Sequence, residues 1–188
     1  MDSSSDRRCR LSALLNSLRS YNFKPTGNHR TTDAVGRGGA QYSTFKYSDW
    51  LTEYDGSKDS PISEEAMWAN LAYFLQGVVP AAEAAGVRLA LHPEDPPVLE
   101  PLGQAAHITS TLDQYERVFA LAESRANAMT FCQGCVTEMG EEGRGGSIAD
   151  AIHRMVAQDK VCFVHFRNLS SENSPHVRLE LALTNVTI

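Results

Sequence analysis

No apolar run in this chain approaches the roughly 18 residues that a membrane span requires. The N-terminus also lacks the apolar stretch of about 7–15 residues that marks a secretory signal. A soluble, cytoplasmic protein with no membrane partner is the expectation. Basic stripes with interleaved aromatics are missing too, and 23 acidic against 17 basic residues give a net charge of −6, which argues against a nucleic-acid surface. Cysteine is sparse: Cys9, Cys132, Cys135 and Cys162 are the only four. Two of them fall in or at the end of strand-like apolar runs, which suits reduced thiols better than a disulfide framework. The chain does have enough apolar residues, 42% of 188, for one domain with a sizeable core.

The apolar residues come in a repeated pattern. Val87-Arg-Leu-Ala-Leu91 reads as a buried parallel strand, and it runs into His92-Pro-Glu94-Asp95-Pro-Pro97. Ala128-Met-Thr-Phe ends likewise in Cys132, and Val161-Cys-Phe-Val ends in His165. Parallel α/β folds carry their chemistry at the carboxyl ends of strands. A single histidine there reads as well as a hydrogen-bonded surface residue. Histidine, thiol and histidine at three equivalent ends point instead to a shared site, because imidazole and thiolate are the donors that borderline divalent metals take. Cys132-Gln-Gly-Cys135 is formally a C-x-x-C, although no second pair follows at zinc-site spacing, and a redox reading requires that it open a helix after a strand.

Helical patterns alternate with these strands. Ser63 caps a helix expected to reach about Ala85, with Trp68, Leu71, Ala72, Leu75 and Val79 inward and Pro80 marking a kink or a break. A second helix begins near Thr111 with Tyr115, Val118, Phe119 and Leu121 inward, and a third opens at Ser147 with Ile148, Ile152, Met155 and Val156 inward. This alternation predicts an α/β fold with a parallel sheet and outer helices. The expected organisation is an irregular N-terminal segment over 1–60, a partial (β/α) barrel over 61–170, and a divergent tail over 171–188. The first segment includes a short amphipathic helix over Arg10–Tyr21, and its Lys24 to Ser60 stretch, with Gly36-Arg-Gly-Gly39, is expected to be a long loop.

Three motifs in order resemble the mannonate dehydratase family: Leu89-Ala-Leu-His-Pro-Glu-Asp-Pro-Pro97, Thr130-Phe-Cys-Gln-Gly134 followed by Glu138-Met139, and Phe163-Val-His-Phe-Arg-Asn168. Trp68-Ala-Asn-Leu-Ala-Tyr-Phe-Leu75 leading to Val79-Pro80 belongs to the same likeness, and Arg30-Thr-Thr-Asp33 is similar to a further family segment, with His29 where the family has tryptophan. The resemblance implies a TIM barrel and a hydro-lyase of glucuronate catabolism. That enzyme removes water from D-mannonate, a sugar acid, to give 2-keto-3-deoxy-D-gluconate. It implies Mn2+ or Fe2+ as cofactor, with His92, Cys132 and His165 as ligands and an aspartate beyond the third strand as the fourth; no aspartate follows Arg167 here. A whole barrel takes about 250 residues, so part of one is expected, with open strand edges that favour a homo-oligomer. The alternative is a truncated, catalytically impaired relative that keeps the fold segment and metal binding.

Around the metal ligands, Glu94 and Asp95 on a proline-stiffened turn are candidates for orienting His92 or for proton transfer; a solvated turn is the plain alternative. Arg167, on the same side as His165, is a candidate to pair with a substrate carboxylate or, equally, to form a structural salt bridge. His107 is a weaker candidate for substrate binding, carried by the resemblance, and His153 reads as a surface residue within a helix.

Overall fold

The computed structural model describes residues 18–24, 30–55, 61–171 and 180–184. Its central feature is a four-stranded parallel sheet. The strands are β1 (Leu18–Tyr21), β4 (Arg88–Leu91), β5 (Asn127–Cys132) and β6 (Val161–His165), and they lie side by side in that order. Between them run α2 (Glu64–Ala84), α3 (Leu112–Leu121) and α6 (Ile148–Ala157), giving an α/β arc of (β/α)-barrel type. The short helices α4 (Gln133–Glu138) and α5 (Gly140–Arg144) follow β5 directly.

Local signals account for the helices. Ser63 accepts a hydrogen bond from the Ala66 amide, and Thr111 and Ser147 each form a reciprocal capping box, with Gln114 and Asp150. α2 runs on through Pro80 as one helix and is not broken into two. Pro80 sits in the last turns, where few ladder bonds remain to be lost. Met67, Trp68, Leu71, Leu75, Val79 and Ala82 are buried on α2, and Leu112, Tyr115, Val118 and Phe119 on α3. Strand alternation sends Leu89, Leu91, Met129 and Phe131 into the same helix-covered core. The opposite face of the sheet therefore belongs to Ala90, His92, Thr130, Cys132 and His165.

Several sequence expectations are corrected. Residues 18–21 are a strand, not the end of an amphipathic helix; the rest of that expected helix, 10–17, lies outside the described residues. Leucine spacing suits a helix, but the exposed backbone edge of β4 offers a parallel ladder, and β1 pairs with it from Leu18–Arg88 to Tyr21–Leu91. The 24–60 stretch is not one irregular loop. It contains β2 (Thr31–Val35), β3 (Gln41–Lys46) and α1 (Tyr47–Glu53). The glycines read as breakers form the hairpin turn between β2 and β3, with Gly38 and Gly39 at φ 71° and 79°. Within 171–188, expected to be a divergent tail, β8 (Glu180–Thr184) is inserted between β3 and β7 (Asn168–Ser171), completing an antiparallel sheet of order β2-β3-β8-β7. On α6, Ala151 and Met155 point inward while Ile152 and Val156 are exposed. Arg154 of α6 binds Asp113 and Glu116 of α3.

A second small core of Phe45, Trp50, Val98 and Leu102 pins the antiparallel hairpin to the loop after β4, and Trp50 stacks on Tyr54 at 4.5 Å between ring centroids. This brings the start of β2 over the carboxyl ends of the parallel strands.

Candidate metal centre

His92, Cys132 and His165 sit at the carboxyl ends of three adjacent strands. The ladder places Cys132 opposite His165, and the His92 amide donates to the Tyr21 carbonyl, so the imidazole starts where the β1–β4 pairing stops. His92 Nδ1 lies 2.8 Å from the Pro93 carbonyl oxygen, which only accepts. Nδ1 therefore carries the proton, and Nε2 presents its lone pair 3.3 Å from His165 Nδ1. Cys132 is hydrogen-bonded to Cys135 and to His92, and these bonds hold its thiol well below the usual range despite burial. Burial opposes charge on His92, but its hydrogen bond to Cys132, the charges of Cys132 and Asp95 and the bond to the Pro93 carbonyl together outweigh this and leave its pKa raised. Strand geometry has therefore assembled a thiolate and two imidazoles, a donor set for a borderline divalent ion. This chemistry fits the metal that the family resemblance implies.

A layer of buried carboxylates and guanidinium groups lies beside the sulfurs. Arg167 donates from Nη1 to Asp95 Oδ2 and from Nη2 to Glu138 Oε1, both at 2.7 Å, and Arg30 donates from Nη2 to Asp95 Oδ2 at 2.8 Å. Arg167 is thus committed to a buried salt bridge, the second of its two sequence readings. Its path across α4 requires glycine at 134, since a Cβ there would overlap the Arg167 side chain. Asp95 stays ionised below the usual carboxylate range: burial pushes the other way, but Arg167 and Arg30 prevail. Glu138 is pushed up by burial more than Arg167 pulls it down.

Glu94 is buried, and loss of solvent raises its pKa to about 7. Its amide donates to the Thr109 carbonyl at 3.2 Å, and its Oε1 has no hydrogen-bond partner. Asp95 Oδ1, Glu138 Oε2 and Arg167 Nε are likewise buried without one. So many orphaned polar atoms in one place mark a site built for something other than itself. His107 is on the loop whose Thr109 carbonyl accepts from the Glu94 amide. Its Nδ1 donates to the Val98 carbonyl at 2.9 Å, beside the Ser110 hydroxyl that donates to the same oxygen. His153 is exposed.

Sequence reasoning did not place Cys135, Glu138 or Arg30 in the site. The ligand atoms of His92, Cys132 and Cys135 lie within 4.8 Å of one another, and so do those of Asp95, Cys135 and Glu138. The available signal was the three-residue spacing 132, 135, 138, which shares one face only if a helix begins immediately after the strand, as α4 does.

Comparison with known proteins gives a consistent result. Residues 43–185 match the family model described as D-mannonate dehydratase (UxuA), so the match extends beyond the motif-bearing 61–170 at both ends. A mannonate dehydratase of Streptococcus agalactiae is 35% identical over 108 residues, covering 57% of this chain and 29% of the relative. One from Chromohalobacter salexigens is 34% identical over 136 residues, covering 71% and 31%. The crystal structure of mannonate dehydratase from Streptococcus suis serotype 2 superposes with a TM-score of 0.73 at 26% identity, over 94% of this chain and 52% of that one. The chain thus spans about half of the solved relative and less than a third of each of these two curated ones.

Proposed function

Since the chain belongs to the mannonate dehydratase family, we propose that it binds one divalent ion, ferrous or manganese, through His92, Cys132 and His165, and serves in the loss of water from D-mannonate to 2-keto-3-deoxy-D-gluconate. The observations that carry this are the His92 and His165 ring nitrogens 3.3 Å apart, the Cys132 sulfur within 4.8 Å of a His92 ring nitrogen, and the ladder register that sets Cys132 opposite His165.

The ion, when bound, would supply Lewis-acid neutralisation of the charge that builds as the weakly acidic C2 proton leaves. The remaining work falls to the chain's own side chains. Glu94, with a pKa near 7, is divided between carboxylate and acid at neutral pH, which suits a group that accepts a proton from carbon and returns one to the leaving hydroxyl. Asp95, kept anionic by two guanidinium groups, holds those cations at the site without taking up the proton itself. Arg167 acts by positioning, since both of its terminal nitrogens are bonded to Asp95 and Glu138. His107, bonded to Val98, fixes the loop that supports Glu94.

Elemental analysis of the purified chain, together with a coupled assay for the 2-keto-3-deoxy product in added ferrous or manganese salt, tests the proposal. One ion per chain is expected, lost in Cys132→Ala and in His92→Ala. A chain that binds no divalent ion under any loading condition would refute it.

A further inference from the structure

We propose that Cys135 is a further ligand of this centre, so that the ion is held by two thiolates as well as imidazole and belongs to the zinc or ferrous class and not the manganese class. The inference rests on the metal-binding reading above and extends it.

Geometry carries it first. One ligand atom each from His92, Cys132 and Cys135 lies within 4.8 Å of the others. Bonds of about 2.0–2.1 Å to nitrogen and 2.3 Å to sulfur allow two donors of one ion to be at most about 4.6 Å apart. The three therefore already span the right distance, and a shift of a few tenths of an ångström closes any remainder. Local structure explains why. Cys132 is the last residue of β5 and the N-cap of α4, and Cys135 is the third residue of that helix. The first turn then carries both sulfurs to one side, the arrangement that makes C-x-x-C a two-thiolate chelate in zinc sites.

The surroundings favour the same role. Asp95 and Glu138, the nearby carboxylates, each give one oxygen to Arg167 and keep the other unpartnered, and the Cys135 sulfur belongs both to their group and to that of His92 and Cys132. Charge is compatible as well: two thiolates and Asp95 would face a divalent cation together with Arg167 and Arg30, while burial pushes the Glu138 carboxyl up toward its neutral form. Burial, the hydrogen bond to Cys132 and the nearby anionic groups push the Cys135 thiol up, so a bound cation is what would displace its proton, with Arg167 close enough to interact electrostatically with the sulfur. A second sulfur changes which ion the site prefers, because thiolates select zinc and iron while carboxylates suit manganese.

The test is X-ray absorption on the full chain loaded with zinc under reducing, anaerobic conditions. Two sulfurs at about 2.3 Å are expected, with nitrogen at about 2.0–2.1 Å. Cys135→Ser should lose one of the sulfurs and weaken zinc binding on the order of a hundredfold, since disturbing a group that only orients a ligand already costs about 10–100-fold. Cys162→Ser, which removes a thiol bonded to the Met129 carbonyl, should change neither. A single sulfur in the wild type, or a Cys135→Ser spectrum identical to it, overturns Cys135 as a ligand and leaves the metal-binding reading standing. Failure of the wild type to bind zinc, iron or manganese overturns both. If Cys135→Ser does not fold, the sulfur count in the wild type decides alone.

Discussion

Replacing Arg167 by methionine removes the one cation that Asp95 and Glu138 share. The arginine is 4% exposed, and the two carboxylate side chains are 10% and 0% exposed. Removing one partner of a buried ion pair costs about 3–5 kcal/mol, mostly from the charge left behind. Two features moderate that cost here. Burial already pushes the Glu138 carboxyl up, so it takes a proton readily once the guanidinium is gone. Asp95 keeps Arg30 at 2.8 Å. The expected loss is therefore near the lower limit, about 3 kcal/mol, read as the shift in urea midpoint at constant slope in metal-free protein at pH 7. At pH 9, above the Glu138 value of about 8, Glu138→Gln in the Arg167→Met background, which removes the charge while keeping the shape, should recover about 1–2 kcal/mol, within the range of coupling found for residues in contact. A loss below about 1 kcal/mol, a value typical of an exposed pair, or strict additivity of the two changes, would refute the buried cluster as the element that holds this site together.

Three further outcomes follow from the same geometry. Gly134→Ala puts a methyl group into the Arg167 side chain and should destabilise by about 1–3 kcal/mol, the usual cost of overpacking; an Arg167→Met/Gly134→Ala double variant no worse than Arg167→Met alone would place the clash on that side chain, and additive losses would place it elsewhere. Glu94 has a folded pKa raised to about 7, so its contribution to stability is present in full below about pH 4.5 and is lost as pH rises through 7, at most about 3 kcal/mol. In chelator, Glu94→Gln should therefore show a flatter stability curve than wild type across pH 5–7, and parallel curves would contradict the assignment. Protons compete with metal at His92, whose pKa is raised, so affinity measured against a competing chelator should weaken steadily from pH 8 to pH 6; an affinity independent of pH would count against an imidazole ligand.

The local parts of this protein were legible in its residues. Apolar runs ending in His92, Cys132 and His165 marked the strands and their chemical ends. The capping residues Ser63, Thr111 and Ser147 marked helix starts to within a residue. Such signals span a turn or two of chain, so they survive without knowledge of neighbours. The family was legible for the same reason, because its motifs are short and contiguous.

What depended on distant partners was not. Leu18–Tyr21 is a strand because β4 offers it an edge, and Glu180–Thr184 because β3 and β7 flank it. Neither segment shows this by itself. Arg167 reads equally as a substrate-binding cation or a structural one until Asp95, 72 positions away, and Glu138, 29 away, are brought onto it. Cys135 and Glu138 enter the site only because α4 leaves β5 without a loop. Sequence by itself determined which residue types stand at the ends of the parallel strands. Tertiary structure decided which buried charges meet there, because in a low-dielectric interior a charge is placed by its partners and not by its neighbours along the chain.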